Sequence, residues 1–190
     1  MSDQTEEEAL LIFKETKALL QGHFILRSGL RSEFYFQCAQ VCQYLDKVER
    51  LVQLLRNKLD DIQPEIVIAP AMGGLVLGQE MARQLGVRYV FLEKENDQLV
   101  LRRGFQLARD ERVLIVEDVV TRGGRVKEAI EIVRDHGAKL EGVAVLVDRS
   151  RGQLDLGSPM ISLAKMDFPT YEADNLPSSL VNLPPTKPGS

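Results

Sequence analysis

The segment "VLIVEDVVTRGGRV", residues 113–126, decides the fold and contains most of the candidate site. It opens with an apolar run that predicts a buried strand, and this strand ends in two adjacent carboxylates, Glu117 and Asp118. A turn of mostly small residues follows at 119–124, and a helix is predicted to begin after it. A buried strand that passes through a short turn into a helix is typical of a parallel sheet covered by helices.

Three further apolar runs extend this pattern along the chain. "EIVIAP" at 65–70, "VRYVFLEK" at 87–94 and "GVAVLVDR" at 142–149 are predicted strands, and helical periodicity lies between them. Residues 94–110 carry charge without clean periodicity and are expected to form a long mobile loop or a two-stranded flap. The alternation predicts an α/β domain with a mostly parallel, five-stranded sheet and helices on both faces.

The two ends of the chain have patterns of their own. Apolar residues at helical spacing predict a helix over 5–20, ended by Gly22. Two short strands are expected around a turn at Ser28–Gly29, and a second helix from about Tyr44 to Leu59. The tail after Pro177 is rich in Pro, Ser and Asn and is expected to lie extended on the surface.

Composition limits the classes of function. A chain of 190 residues with 44% apolar and 27% charged residues predicts one globular domain, and a net charge of −4 argues against a general nucleic-acid binder. No apolar run approaches the roughly 18 residues of a membrane span. The acidic N-terminus resembles neither a secretory signal nor a transit peptide, so a cytoplasmic location and no membrane partner are expected.

Cysteine and histidine show no pattern of a reactive or metal site. Cys38 and Cys42 are four residues apart with no further partners in metal-ligand spacing, and two reduced thiols in or near the core are expected. His23 and His136 are far apart in sequence, and each is expected to be structural rather than catalytic.

Four loops are expected to share one crevice. Ligands of an open parallel sheet bind at the carboxyl ends of the strands, and the loops at 70–74, 93–105, 117–125 and 148–152 leave such ends. Successive N–H groups in a glycine-containing turn, together with a helix N-terminus, form a nest for phosphate. The Walker and G-x-G-x-x-G spacings are missing from the sequence, which disfavours ATP and NAD.

The paired acids narrow the class of ligand. Glu117 and Asp118 would repel a phosphate, but they can accept hydrogen bonds from sugar hydroxyls or stabilise positive charge developing on a sugar. A ribose 5-phosphate meets both demands, with its phosphate on the nest and its hydroxyls on the acids. The alternative is a solvated acidic pair before a turn.

Here the sequence resembles a known family. "VLIVEDVVTRGG" is similar to the phosphoribosyl-pyrophosphate (PRPP) motif of type I phosphoribosyltransferases, which also joins an apolar strand, two acids and a phosphate loop. Other segments resemble the orotate-specific members of that family, over roughly residues 10–190. These segments are "FILRSGLRSEFYF" (24–36), "IAPAMGG" (68–74), "LRRGF" (101–105), "VLVDRS" (145–150) and "KPGS" (187–190).

The resemblance implies a role for particular residues. The residues implied to bind PRPP are Glu117, Asp118, Val119, Val120, Thr121, Arg122, Gly123, Gly124, Arg125, Met72, Gly73 and Arg27. The residues implied to bind orotate are Thr121, Arg149, Tyr35 and Phe36. The residues implied to act in catalysis are Asp118, Lys94, Arg102 and Arg103. Mg²⁺ would travel with PRPP, with no protein side chain expected as its ligand.

The resemblance also implies an architecture and a reaction. It implies a single type I phosphoribosyltransferase domain over 1–190, with a small hood from about 20–40 and 155–190 and a flexible flap at about 94–106. The flap would close partly over the neighbouring subunit's site, which implies a homodimer. The expected reaction transfers ribose 5-phosphate from PRPP to orotate, giving orotidine 5-phosphate and pyrophosphate in pyrimidine biosynthesis.

Three departures from the family pattern keep alternatives open. Arg122 and Arg125 stand where the phosphate loop typically has small or hydroxyl residues, and they could aid the phosphate site or block it. Gly73 stands where some members have a lysine, and the flap has no histidine and few lysines. The alternatives are transfer to a purine or another base, a non-enzymatic PRPP-binding regulator, and a degenerate enzyme whose phosphate site is filled by Arg122.

Overall fold

The computed structural model of the chain describes residues 2–26 and 28–188, so the predicted PRPP contact Arg27 lies outside the described residues. The helices are α1 (Ser2–Glu15), α2 (Leu45–Arg56), α3 (Leu75–Leu85), α4 (Gly124–Asp135) and α5 (Ser178–Val181), with a 3-10 helix at Cys38–Gln43. The strands are β1 (Leu19–Ile25), β2 (Arg31–Phe36), β3 (Ile66–Pro70), β4 (Arg88–Glu95), β5 (Gln98–Leu101), β6 (Arg112–Val120), β7 (Lys139–Asp148), β8 (Met160–Lys165) and β9 (Thr170–Tyr171).

The main sheet has the strand order β5-β4-β3-β6-β7-β8. Five of these strands are parallel, and β5 adds an antiparallel edge by pairing with β4. The predicted α/β class is therefore confirmed, with six strands instead of five. The chain moves from β3 to β4 on one side and then returns to place β6 on the other side of β3, which creates a crevice at the strand ends.

Helices cover both faces of the sheet, as the continuous apolar strands predict. Alternate side chains of a strand point to opposite faces, and Val67 packs in the layer under α1, α2 and α3. Its neighbours Ile66 and Ile68 pack on the other face, against α4. Because the central strands β3, β6 and β7 are mostly buried from both sides, their sequences show no regular polar alternation.

A second, three-stranded sheet forms the hood, in the order β1-β2-β9. β1 and β2 form the predicted hairpin around Ser28–Gly29. The C-terminal tail joins this hood, because the Ile25 N–H donates to the Thr186 carbonyl at 2.8 Å and the Thr186 N–H donates to the His23 carbonyl at 2.8 Å. The prediction of an extended surface tail is thus only partly right.

Two sequence predictions about elements are wrong. α1 ends at Glu15, because Lys17 adopts a left-handed φ of 57° and the segment from Leu19, Gly22 included, pairs with β2 as a strand. Met160–Lys165, predicted as part of the hood, is an edge strand of the main sheet that pairs with β7. Within the described residues, no helix is both long enough and apolar enough to cross a membrane.

Candidate functional site

A cavity of about 1210 Å³ opens at the carboxyl ends of β3, β4 and β6. Three of the four predicted loops contribute to it, at 71–73, 93–94 and 117–126. The fourth loop, at 149–151, lines an adjacent cavity of about 550 Å³. Thr121 and Arg122 line both cavities, so the predicted crevice is a site with two compartments that meet at the β6–α4 loop.

The β6–α4 loop has the backbone of a phosphate nest. Gly123 has a φ of 73°, and a Cβ placed on it would come within 2.7 Å of the Leu154 side chain. α4 starts immediately afterwards at Gly124, so its first turn, whose N–H groups have no partner within the helix, lies at the wall of the first cavity. The loop therefore has the geometry that the sequence predicts for residues 119–125.

The two acids of the segment differ in their surroundings. Glu117 is only 5% exposed, and burial beside Asp118 raises the pKa of Glu117 to about 8. Asp118 is half-buried, and its carboxylate accepts the N–H of Val119 at 2.7 Å, while Glu117 accepts the N–H of Asp118 at 3.1 Å. Both side chains line the first cavity, as predicted.

Gly73 lies directly against this acid pair. A Cβ at Gly73 would stand 2.6 Å from the carboxylate atoms of Asp118, so the glycine makes the room that Asp118 occupies. Met72 is 81% exposed and, like Gly73, lines the first cavity after the cis peptide Ala71–Met72. Gly73, which stands where some family members have a lysine, thus leaves space for the Asp118 carboxylate in this chain.

The two loop arginines border the first cavity and do not fill it. Both side chains are exposed, and the open volume lies beside them. Arg125 donates from Nη1 to the Ala71 carbonyl at 3.4 Å, which links the phosphate loop to the β3–α3 loop. Arg122 stands at the junction of the two cavities.

The second cavity combines a guanidinium with an aromatic ring. Arg149 follows β7, and its Cζ lies 4.9 Å from the ring centre of Phe168, which stacks on Phe34 with ring centres 5.3 Å apart. Burial lowers the pKa of Arg149 below its ordinary value, yet an arginine remains charged. The cavity is cationic, with one acid facing four cations: Asp167 against Arg122, Lys127, Arg149 and Arg151.

The predicted aromatic contacts are not at this cavity. Phe36 is buried in the core with its ring edge-on to Phe13 at 5.0 Å, and Tyr35 packs against Phe24 at 5.7 Å. Among the described residues that line the two cavities, neither Tyr35 nor Phe36 is present. The strand presents Phe36 to the core and Tyr35 to the hood, and the role of these two residues in binding orotate stays a prediction.

The flap is a two-stranded hairpin, the second of the two predicted forms. Lys94 lines the first cavity and forms an ion pair with Asp97 in the hairpin turn. Arg102 pairs with Glu95 at 2.9 Å, and Arg103 pairs with Glu93 at 2.7 Å. In the part of the chain that the structure describes, neither arginine lines the cavity, so the structure does not bring these two predicted catalytic residues to this site.

The histidines and cysteines lie where the sequence predicts. His23 is buried in the hood and contacts the Leu183 carbonyl at 2.9 Å, while His136 contacts the Ile132 carbonyl at the end of α4. Cys38 is buried and Cys42 half-buried, both as free thiols. No group of three or more potential metal-binding side chains occurs within residues 2–26 and 28–188.

Several site residues are missed by sequence reasoning. Phe168 and Met166 lie in the second cavity, beyond β8, in a segment that the sequence assigns to the hood. Ser150 is 8% exposed and lines the same cavity, and its hydroxyl oxygen has no hydrogen-bond partner among the described residues. Glu128 lines the first cavity from α4, and the helical position of this acid, four residues after Gly124, is the signal that could have indicated it.

Comparisons with known proteins agree with this geometry. The family model of the phosphoribosyl transferase domain matches residues 40–173. A protein of Desulforamulus reducens named orotate phosphoribosyltransferase is 48% identical over 97% of this chain and 96% of its own length. One of Caldanaerobacter subterraneus subsp. tengcongensis with the same name is 45% identical over 97% of each chain. The crystal structure of orotate phosphoribosyltransferase from Aeropyrum pernix has a TM-score of 0.71 at 27% identity, over 83% of this chain and 93% of that one.

Proposed function

The chain belongs to the phosphoribosyltransferase family and, within it, to the orotate phosphoribosyltransferases, and from this membership we propose a substrate for each compartment. PRPP occupies the first cavity and orotate the second. The reaction transfers ribose 5-phosphate from PRPP to orotate and releases pyrophosphate, a step of pyrimidine biosynthesis. The observation that supports this most directly is the junction of an acidic, nest-bearing cavity with a cationic, aromatic one at Thr121 and Arg122.

The first cavity suits a sugar phosphate at both of its ends. The N–H groups of the loop at 119–125 hold the 5-phosphate, while Glu117 and Asp118 accept hydrogen bonds from the ribose hydroxyls. Asp118, being half-buried and beside the exposed nest, stabilises the positive charge that develops on the ribose as the bond to pyrophosphate breaks. Gly73 keeps Asp118 in the position that this role requires.

The leaving group needs positive charge that the first cavity does not supply alone. Three charged carboxylates, those of Glu93, Asp118 and Glu128, line the cavity and only balance the three cations Lys94, Arg122 and Arg125, because Glu117 keeps its proton at neutral pH. PRPP is itself highly anionic, so it fits this cavity as its magnesium complex, in which the phosphate oxygens would be the hard oxygen donors that Mg²⁺ prefers. The ion would supply positive charge to the pyrophosphate, and Lys94 adds its ammonium from the flap.

The second cavity suits a planar anion. Orotate is flat and carries a carboxylate, so its ring can lie near Phe168 while its polar edge meets the guanidinium of Arg149. This cavity has four cations and one acid, and a neutral purine would leave the excess positive charge uncompensated. Base selection by charge therefore favours orotate over hypoxanthine or adenine.

We also propose a homodimer that works in the cytoplasm. The flap arginines do not line the cavity of their own subunit in the described structure, and their ion pairs with Glu93 and Glu95 are exposed, so a homodimer gives them a role at the cavity of a neighbour. A cytoplasmic site follows from the charge of PRPP, because a multiply charged phosphate does not pass through a bilayer unaided.

A steady-state assay with orotate, PRPP and Mg²⁺ tests the proposal, followed by the loss of the ultraviolet absorbance of orotate. We expect turnover with orotate and none with hypoxanthine, adenine or uracil. Consumption of a purine instead of orotate would contradict the base assignment. Calorimetric binding of magnesium–PRPP without turnover of any base would indicate a regulator, and the absence of binding heat would indicate a phosphate site blocked by Arg122.

A further inference from the structure

Glu128 lies on the inner side of α4, where it reaches the flap. Its carboxylate accepts the backbone N–H of Leu99 at 3.1 Å, and Leu99 is a residue of β5. Glu128 is half-buried and lines the first cavity. It is not among the residues that the family resemblance marks for substrate or catalysis, so its position needs an explanation of its own.

The flap is fixed to the body of the protein at this same place. Leu99 is 6% exposed and packs in the apolar layer that also contains Val126 and Ile130 of α4. β5 is the outermost strand of the sheet, so the Leu99 N–H donates to a side chain and not to a further strand. Across the hairpin, Leu99 is the direct partner of Lys94.

One side chain therefore connects the helix of the phosphate nest to the strand pair that carries Lys94. We propose that Glu128 is a positioning residue that holds the flap on α4 next to the hairpin turn, so that Lys94 faces the PRPP cavity. This inference rests on the proposed function and deepens it, because it assigns a residue outside the implied set to the binding of PRPP.

Two effects of Glu128 on PRPP have opposite signs. Its negative charge lines the cavity and repels the phosphates, whereas its hydrogen bond places a cation where the pyrophosphate lies. Glu128→Gln removes the charge and keeps a carbonyl oxygen that can accept the Leu99 N–H. Glu128→Ala removes both the charge and the acceptor, so the two variants separate the two effects.

The test combines kinetics with hydrogen exchange, and Glu131→Ala serves as the control because Glu131 is an exposed acid of the same helix. In Glu128→Ala we expect the KM for PRPP to rise about tenfold with a smaller change in kcat, as for the loss of one hydrogen bond to a charged group. Glu128→Gln is expected to keep or lower the KM for PRPP. The control is expected to behave like the original protein.

Amide exchange of Leu99, measured by NMR on the ligand-free protein, gives a readout that does not depend on the substrate. We expect exchange to speed up about tenfold in Glu128→Ala and to stay near the original rate in Glu128→Gln. Unchanged exchange in Glu128→Ala, or a lower KM for PRPP in both variants, would overturn the proposal. If exchange responds as expected but no base is turned over, the proposed function fails while the attachment of the flap by Glu128 stands.

Discussion

Arg149 is the residue on which the choice of base depends most directly. Its guanidinium lies over Phe168 in a cavity where burial lowers its pKa, which means that its charge is poorly compensated without a ligand. We expect Arg149→Ala to weaken orotate binding by about 2–4 kcal/mol, because a charged pair is lost. The KM for orotate should therefore rise roughly 30-fold to 1000-fold, with little change in the KM for PRPP.

A matched arginine serves as the control for this prediction. Arg112 is the first residue of β6 and lies at the end of the strands away from the two cavities. It pairs with Glu65 at 3.5 Å. Arg112→Ala is expected to leave both KM values unchanged. An orotate KM close to the original value in Arg149→Ala would remove Arg149 from the base site.

Glu117 makes the stability of the protein depend on pH. Its pKa of about 8 in the folded protein lies above the ordinary value of 4.5, so the folded state keeps a proton that the unfolded state has lost between these pH values. Stability therefore falls as the pH rises through this window. Glu117→Gln cannot ionise, so we expect its Tm relative to the original protein to increase from pH 5 to pH 8.

Thermal unfolding at several pH values measures this difference, with Glu131→Gln as the exposed control. The control should follow the original protein at each pH. Parallel Tm curves for Glu117→Gln and the original protein would show that Glu117 does not hold the proton.

Single residues of the hood show why part of the site is hidden in the sequence. In "FYF", residues 34–36, adjacent side chains alternate between two faces, and either face could border a ligand. The structure places Phe34 and Phe36, which share one face, against Phe168 and Phe13, whereas Tyr35 on the other face packs on Phe24. Local sequence reveals the alternation, but only the packing of the whole chain determines which face covers the base.

At the scale of elements, the β6–α4 loop offers a comparison between two adjacent glycines. Gly123 has a left-handed φ and a close neighbour in Leu154, whereas Gly124 has an ordinary φ and open space around its Cα. We expect Gly123→Ala to lower the free energy of unfolding by about 1–3 kcal/mol, through backbone strain and overlap. Gly124→Ala should change it by less than about 1 kcal/mol.

Denaturant unfolding of the two variants, compared with calorimetry of magnesium–PRPP binding, checks this prediction. Gly123→Ala should also weaken PRPP binding, because the nest amides shift with the loop. Equal stability of the two alanine variants would mean that the loop does not depend on the left-handed turn.

Strands that are buried on both faces were predictable from the sequence. Strands that are defined by pairing with a distant segment were not. Continuous apolar runs indicate β3, β6 and β7 because both faces of these strands are covered. The apolar pair Leu19–Leu20 fits a helical face as well as a strand, and only pairing with β2 decides between them. Likewise, the partner of β8 lies in β7 and is not encoded in the sequence of β8 itself.

At the scale of the whole molecule, the net charge of −4 does not show that the two cavities differ in charge. Charged acids and cations are equal in number around the first cavity, where Glu117 keeps its proton, and cations outnumber acids around the second. Composition excludes a broad basic surface, but it cannot show that residues far apart in sequence, such as Lys127 and Arg149, meet at one cavity. The acid pair and the phosphate loop were predictable because they are contiguous in sequence. Of the second cavity, Thr121 and Arg149 were predicted, whereas Phe168 and Lys127 were not, because this cavity is assembled from distant segments.

The placement of the flap predicts a site shared between subunits. Arg102 and Arg103 are held by acids of their own hairpin and lie away from their own cavity, whereas Asp118 lies inside it. In a homodimer with the flap closing over the neighbour, an Asp118→Asn subunit and an Arg102→Ala/Arg103→Ala subunit supply complementary parts. Random mixing makes half of the dimers mixed, and one of the two sites in each mixed dimer is intact, so about a quarter of the original activity should return.

Mixing Asp118→Asn with Arg149→Ala is the matched control, because both residues line cavities of one subunit and neither mixed site is intact. Activity that appears only in the first mixture, at protein concentrations where sedimentation shows dimers, would show that the flap acts across the interface. If neither mixture exceeds the mean of its two components, the arginines serve their own subunit, and the ion pairs with Glu93 and Glu95 must then break for the flap to reach the cavity.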